Sequence, residues 1–463
     1  MASFDVIVVG GGPAGYVCAI RAAQLGLSTA VVEKDKLGGV CVNIGCIPTK
    51  ALLQSALIAN MVRHQAAEFG ITTGEVKTDY GVAMKRSRKV SEQNSKGVEF
   101  LMKKNKVTVI RGAGVLQPGK KVKVGNDVHE AKKAVVIATG SRVKGIPQIG
   151  LELNGKTVIS SDEALFMEKA PESLAIVGAG AVGCEFADVF NAFGTVVTLI
   201  EALPRMLPLE DAESSDVVAK SYKKRGIEVR AGAKVKKATV GAKVTLEVES
   251  GGKTETFVVD QVLMAAGRAV NTENMGLKEA GVQLTDRGFV QVNLATLETT
   301  AKGVYCIGDV AGPPMLAHKG SREGVYVAEI IAGHKPHQIK YDNVPSVTYC
   351  HPEVASIGMT EEQAKEKKID YQVGRFPFSA NGRARTSGDT EGFVKIIRDK
   401  KYGEILGAHI VGGHASEIIH ELTVARENEY TVEEVDLAIH AHPTLSEAVA
   451  EACLDSMGRV IHI

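Results

Sequence analysis

The sequence predicts an α/β protein assembled from one strand, glycine-rich turn and helix unit used twice, with a C-terminal α+β segment behind it. Three observations carry that prediction. A Gly-x-Gly-x-x-Gly run follows the first apolar strand, the same run returns 168 residues later, and near residue 343 the pattern changes to β-rich segments that end in helices. At 463 residues there is room for two to four domains with sizeable cores, and 44% hydrophobic with 24% charged residues is the balance of an ordinary globular protein. A net charge of +1 offers no basic field for nucleic acid, and no apolar run reaches the length of a membrane span, so neither partner is expected. The first strand begins almost at the start of the chain, leaving no room for a leader; a cytoplasmic protein is expected, although a mature organellar matrix form would read the same.

Residues 5–9 are a continuous apolar strand, followed by Gly10, Gly11, Gly12, Pro13, Ala14 and Gly15 and then an alanine-rich helix through Ala22 and Ala23. In such a turn Gly10 makes the bend, Gly12 lets a pyrophosphate approach the backbone, and Gly15 lets the helix lie close on the strand. The next strand, residues 29–32, ends at Glu33, placed to hydrogen-bond ribose hydroxyls. In the second copy residues 173–177 are the strand, Gly178, Gly180 and Gly183 repeat the glycines, and residues 196–200 lead to Glu201. Two copies imply two dinucleotides. A carboxylate at Glu201 holds a free 2′-hydroxyl and repels a 2′-phosphate, so the second site should prefer NAD to NADP.

Between the copies, residues 55–105 read as long helices, 107–114 open a β segment, and 134–141 are a buried strand that ends in a turn. Residues 143–160 look like a linker, the second unit closes at 262–268, and 304–309 form another strand ending in Gly308-Asp309, where a carboxylate could bind a sugar hydroxyl or simply cap a turn. Val347, Tyr349, Phe376, Phe378 and residues 393–397 read as strands of a mostly antiparallel sheet, with helices from Ala415 and from Thr444. In the last helix Leu445, Ala448, Val449, Ala452 and Cys453 fall at helical spacing, more simply core than interface.

The chemistry is concentrated at residues 38–50, Gly-Gly-Val-Cys-Val-Asn-Ile-Gly-Cys-Ile-Pro-Thr-Lys. Cys41 and Cys46 are read as a redox-active pair, the glycines permitting the local bend that lets the sulfurs meet. The loop is too small for its closure to stabilise the fold much. The run from Ile47 looks like a helix start with Pro48 in its first turn, where a thiol ionises more readily. The alternatives are two buried free thiols or half of a zinc site, but no further ligands follow at zinc spacing, and no metal is expected. Far along the chain, His440-Ala441-His442-Pro443-Thr444-Leu445-Ser446-Glu447 would place His442 at a helix lip with Pro443 as the first helical residue and Glu447 about one turn on. A carboxylate bonded to one ring nitrogen fixes the tautomer and raises the basicity of the other, the arrangement of a general base.

Over essentially its whole length the chain resembles the flavin-dependent pyridine nucleotide–disulfide oxidoreductases, most specifically at residues 38–50, 178–185, 308–309 with 315–318, and 440–447. The resemblance implies two Rossmann-like dinucleotide-binding domains plus a C-terminal α+β dimerisation domain: residues 1–142 for FAD and the redox disulfide, 143–268 for NAD, 269–342 returning to the FAD site, and 343–463 forming the interface of a homodimer. FAD contacts would come from residues 10–15, from 33–41, and from Lys50, Gly114, Thr139, Gly140, Ser141, Asp309, Met315, Leu316, Ala317 and His318. NAD contacts would come from Gly178, Gly180, Gly183, Glu185, Glu201, Val235 and Gly267, with Lys50 pairing to Glu185 beside the flavin. The implied reaction is oxidation of a protein-bound dihydrolipoyl dithiol: His442, oriented by Glu447 and arriving from the other subunit, takes a thiol proton, the thiolate attacks Cys41, and Cys46 passes the electron pair to FAD and so to NAD. Partners would be lipoyl domains of a 2-oxoacid dehydrogenase acyltransferase or a glycine cleavage carrier protein. Val270 stands where the family usually has proline and Thr49 where serine is also common, neither touching a reacting group. A glutathione-type NADPH reductase would want arginines near Glu201, where only Arg205 is available; a mercuric ion reductase would want a C-terminal cysteine pair, where there is only Cys453; a non-catalytic flavin scaffold would not need the full set of Cys41, Cys46, His442 and Glu447.

Overall fold

A computed structural model describes residues 2–463. The chain divides into two compact units, one made of the chain up to Ala51 with Val82–Lys144 and Gly267–Ile339, the other of Leu52–Gly81, Gly145–Ala266 and Lys340–Ile463.

In the first unit, strands β1 (Ser3–Val9), β2 (Thr29–Glu33) and β3 (Thr108–Arg111) run parallel in the order β3-β2-β1. The sheet continues through β6 (Asp127–Ile137), parallel to β1, and then antiparallel through β5 (Lys121–Val124) and β4 (Gly114–Gln117). The strand Val304–Cys306 returns to pair parallel with β6, so the chain beyond residue 269 rejoins the first sheet. Val6 to Val9 are all buried, as a central parallel strand covered on both faces requires. Helix α1 (Pro13–Gln24) packs against the helix Ala317–Ile331 at unusually close range: a β-carbon on Gly324 would lie 2.6 Å from the Ala14 carbonyl oxygen.

The second unit repeats the scheme. Its parallel sheet has the order Glu228–Ala231, Val196–Glu201, Ser173–Val177, Gln261–Met264, Val158–Ser160, which matches the order β3-β2-β1-β6 plus Val304–Cys306 of the first unit. The outermost strand is drawn from after the unit in one copy and from before it in the other. A three-stranded antiparallel meander, Ala233–Val240, Val244–Ser250 and Lys253–Val259, which the sequence reading did not identify, interrupts the second copy. Beyond it five strands from Ser346 to Gly412 make a wholly antiparallel sheet. Val394, Ile396, Ala408 and Ile410 of that sheet share a core with Ala448, Val449, Ala452 and Cys453, so the stripe on the last helix is core, as read.

Two expectations need correction. The last helix begins at Glu447, not at Thr444, and Pro443 lies outside it in a bend, because the Glu447 carboxylate folds back to accept the Thr444 N–H at 2.7 Å and so caps the helix from inside. One helical stretch, Gly39–His64 with 26 residues, does have the length and apolarity of a membrane span. It is broken at Gly45, and hydrogen bonds from α4 (Tyr80–Lys104) reach its first part, Ser91 Oγ to Val42 O at 2.7 Å and Ser87 Oγ to Pro48 O at 2.9 Å, which is how a core helix is held.

Candidate active site

The two glycine turns are built alike down to single hydrogen bonds. Gly10 N donates to Val32 O and Gly178 N to Ile200 O, both at 2.8 Å. One oxygen of Glu33 accepts from Gly11 N at 2.7 Å and the other from Asp35 N at 2.7 Å; Glu201 accepts from Ala179 N at 2.8 Å and Leu203 N at 2.9 Å. Both carboxylates therefore brace the turn they follow, and with one backbone bond on each oxygen they keep acceptor capacity for a ribose. The third glycine of each run is sterically required: a β-carbon on Gly15 would fall 1.9 Å from Gly10 O, and one on Gly183 1.9 Å from Gly178 O. The middle glycine leaves space instead. No heavy atom lies within 4 Å of a β-carbon placed on Gly180, and the nearest to one on Gly12 is Gly39 Cα at 3.9 Å. Neither helix that follows, α1 or Ala181–Ala192, has a side-chain cap at its N-terminus. An open glycine face, an uncapped helix N-terminus and a carboxylate at the next strand end suit a dinucleotide: the pyrophosphate would take the helix end and the carboxylate the ribose.

Several other residues expected around the first cradle are joined to one another or to the strand ends of the first sheet. A β-carbon on Gly114 would touch the side chains of Val9 and Val32, so its backbone lies over the strand ends. Ser141 Oγ donates to Asp309 Oδ2 and receives Arg268 Nε at 2.6 Å. Thr139 and Asn271 exchange side-chain to carbonyl bonds, Thr139 Oγ1 to Asn271 O at 2.8 Å and Asn271 Nδ2 to Thr139 O at 2.9 Å, while Asn271 N donates to Gly140 O at 3.0 Å. The Gly308-Asp309 turn is set by a buried ion pair one helical turn long, Lys319 with Glu323 at 3.2 Å; Glu323 accepts Gly308 N and Lys319 donates to Gly308 O and Gly312 O. Leu316 caps the helix Ala317–Ile331, so Met315, Leu316, Ala317 and His318 form its N-terminal lip. Arg268, Asn271, Lys319 and Glu323 escaped the sequence reading; they act on the backbone of distant segments, for which a sequence carries no local signal.

Cys41 sits in helix α2 (Gly39–Ile44) and Cys46 opens helix α3 (Cys46–His64), the two helices parted at Gly45. The short helix was not expected; Gly38 and Gly39, both at positive φ, start it where no side chain could, since a β-carbon on Gly39 would lie 2.6 Å from Gly12 Cα. Gly38 N also donates to Gly11 O at 2.8 Å, so the cysteine segment is hung directly on the first glycine turn. The two side chains are hydrogen-bonded to one another. The Cys41 thiol is held far above its ordinary pKa, first by its hydrogen bond with Cys46 and then by burial, with the charge of Lys50 pulling the other way. A thiol pair that shares a proton beside a lysine gives up its first proton more readily than its second. Tyr16 of α1 faces Cys41 and is itself pushed up by burial.

In the second unit Glu185 is buried and accepts Tyr349 N at 3.1 Å. Val235 lies half-buried in the meander. Gly267 directly follows Ala266, whose backbone nitrogen would lie 2.8 Å from a β-carbon on Gly178. Arg205, the guanidinium that the sequence places near Glu201, is committed: both its terminal nitrogens bond Glu362, at 2.7 and 2.6 Å. His442 is exposed, its Nδ1 2.8 Å from Glu447 Oε1. Burial pushes the Glu447 carboxyl up, but the Thr444 N–H, the His442 bond and the charges of His442 and His440 outweigh it and hold the group below its usual value. Among the described residues no cluster of metal-binding side chains occurs.

Two family models match the chain: pyridine nucleotide–disulphide oxidoreductase over residues 4–324, and the dimerisation domain of the same family over residues 344–453. Curated relatives named dihydrolipoyl dehydrogenase include those of Rhizobium etli, 45% identical, Corynebacterium glutamicum, 44%, and Bacillus subtilis, 42%, each match covering 99% of both chains. Among solved structures, LpdA from Mycobacterium tuberculosis superposes with a TM-score of 0.89 at 27% identity, covering 98% of this chain and 99% of that one. The Cu(II) complex of the HOCl-induced flavoprotein disulfide reductase RclA from Escherichia coli gives 0.85 at 28% identity, with 98% and 99% covered.

Proposed function

The chain belongs to the pyridine nucleotide–disulphide oxidoreductases and is a flavin disulfide oxidoreductase, and from that premise we propose that it acts as a dihydrolipoyl dehydrogenase, oxidising protein-bound dihydrolipoyl groups with NAD. The observation that carries the reading is the Cys41–Cys46 pair suspended from the first glycine turn. The protein works as a homodimer through its dimerisation domain, and its partners are the lipoyl domains of 2-oxoacid dehydrogenase complexes or of the glycine cleavage system.

In the oxidised enzyme Cys41 and Cys46 are joined. Glu447 holds Nδ1 of His442 of the partner subunit, leaving Nε2 to take the proton of a dihydrolipoyl thiol. The thiolate attacks the Cys41 sulfur, forming a substrate–Cys41 disulfide and releasing Cys46 as a thiolate beside Lys50. The second substrate thiol displaces Cys41, so lipoyl leaves oxidised and the protein keeps two electrons. The first cradle, with Glu33, Lys50, Gly114, Thr139, Gly140, Ser141, Asp309 and the lip from Met315 to His318, would hold FAD. FAD held there would supply the two-electron chemistry that links the thiol pair to a nicotinamide. The second cradle, with Glu185, Glu201 and Val235, and with Gly267, would hold NAD; Glu201 leaves no place for a 2′-phosphate, and Arg205 is engaged by Glu362. Lys50 and Glu185 are assigned as partners that tune the flavin.

The test is to mix the purified protein with dihydrolipoamide and follow NADH, with NADP and glutathione as controls and Cys46→Ser as the variant. NAD alone should be reduced, and the variant should keep its flavin and lose the reaction. Unchanged turnover in Cys46→Ser, or faster NADPH-driven reduction of another disulfide, would overturn the assignment.

A further inference from the structure

Two residues before His442, the ring of His440 meets an acceptor at each nitrogen. Nδ1 lies 2.8 Å from Ala438 O and Nε2 2.8 Å from Glu421 Oε1. A carbonyl and an ionised carboxylate have no proton to offer, so both ring nitrogens must donate, and the ring is an imidazolium. It is withdrawn from water, its side chain 9% exposed against 80% for His442. The charged groups that face it are Glu421, from the helix Ala415–Glu427, and Glu447, from the last helix and also bonded to His442. The hydrogen bond of Glu421, opposed by burial and helped by the charges of Glu421 and Glu447, holds His440 above its usual pKa.

A carboxylate bonded to an imidazole makes it more basic, and a base that stays protonated at neutral pH cannot take a thiol proton. We propose that His440 is a positioning residue for the dithiol reaction: pinned by Glu421, its cation offsets the field of the Glu447 carboxylate that orients His442, while its bond to Ala438 fixes the turn that delivers His442. The pair is charge-balanced. Removing His440 alone leaves Glu421 as a second unpaired carboxylate beside the dyad, whereas removing both charges restores the balance.

The inference rests on His442 being the base, and nitrogen-15 NMR of the unaltered holoenzyme tests it without turnover. His440 should keep both ring protons to a pH above that at which His442 loses one; the opposite order overturns the inference even if dihydrolipoamide is oxidised. In turnover, His440→Gln should move the acid limb of the kcat/KM profile upward by roughly half to one pH unit, and the His440→Gln, Glu421→Gln double variant should bring it back. A lower rate at every pH with an unmoved limb, in both variants, would mean a structural role only. Absence of dihydrolipoamide oxidation in the unaltered enzyme would instead strike the dithiol assignment, which the NMR order does not depend on.

Discussion

The two glycine turns share a backbone and differ in what lies next to them. In the first, the position of Gly39 carries the start of the cysteine helix, hung on the turn through Gly38 N to Gly11 O. In the second, 168 residues on, Leu207 stands at the place of Gly39, also at positive φ, and it is Leu207 N itself, one residue beyond the counterpart of Gly38, that bonds Ala179 O at 2.7 Å. The anchor is thus common to both. From it the first copy brings Gly39 Cα to 3.9 Å from a β-carbon on Gly12 and runs into the helix that carries Cys41, while the second projects a loop ending in the exposed Leu209 and leaves the face of Gly180 open. The lesson is about residence. A cradle with the Gly38-Gly39 segment beside its glycine face is the more enclosed, and one with an open face the more accessible, a difference that suits a resident flavin and a diffusing nicotinamide cofactor.

Alanine at the third glycine sharpens the contrast most. Gly15→Ala should yield colourless protein without activity, because the new methyl meets Gly10 O and pushes α1 off its strand. The matching Gly183→Ala should keep its flavin and lose NAD reduction, as absorbance and NADH assay will separate; loss of flavin in both would break the comparison. Next in size, His442→Gln, which touches neither turn, should slow dihydrolipoamide oxidation at least roughly a hundredfold with both dinucleotides still binding.

The smallest effect concerns stability. Within the second unit buried Lys395 bonds Asp211, Glu213 and Glu361, at 3.0, 2.8 and 2.7 Å. Burial pushes Glu361 up, but bonds from Lys395 and Lys365 hold it at about 2. A carboxyl depressed in the fold contributes stability above its unfolded value of 4.5 that is lost as pH falls toward 2. Lys395→Met should therefore lower Tm at neutral pH and flatten its fall over that acid window, as calorimetry across pH will show; an unchanged acid slope would remove the cluster from the account.

Much of this was legible before any coordinates, and the reason is physical. A buried parallel strand, a glycine turn and a terminal acid act within about thirty residues, so Gly10 to Glu33 and Gly178 to Glu201 announce themselves locally. His442 and Glu447 were readable because five residues of one bend hold them together. What stayed hidden depends on distant chain: the helix start at Glu447 follows from its carboxylate folding back on Thr444, and the short helix around Cys41 follows from Gly39 meeting Gly12. The meander at 233–259 was missed although Val244, Leu246 and Val248 alternate and Gly251-Gly252 marks its turn, the two signals a hairpin offers.

The central claim is that electrons rest on the protein between an exchangeable dithiol and an exchangeable dinucleotide. Reducing the enzyme anaerobically with dihydrolipoamide, removing all small molecules by rapid desalting and then adding NAD tests it in one step. The account predicts a stoichiometric burst of NADH from the desalted, still yellow protein. No NADH without fresh dihydrolipoamide would contradict it, since substrate and NAD would then have to meet in one complex.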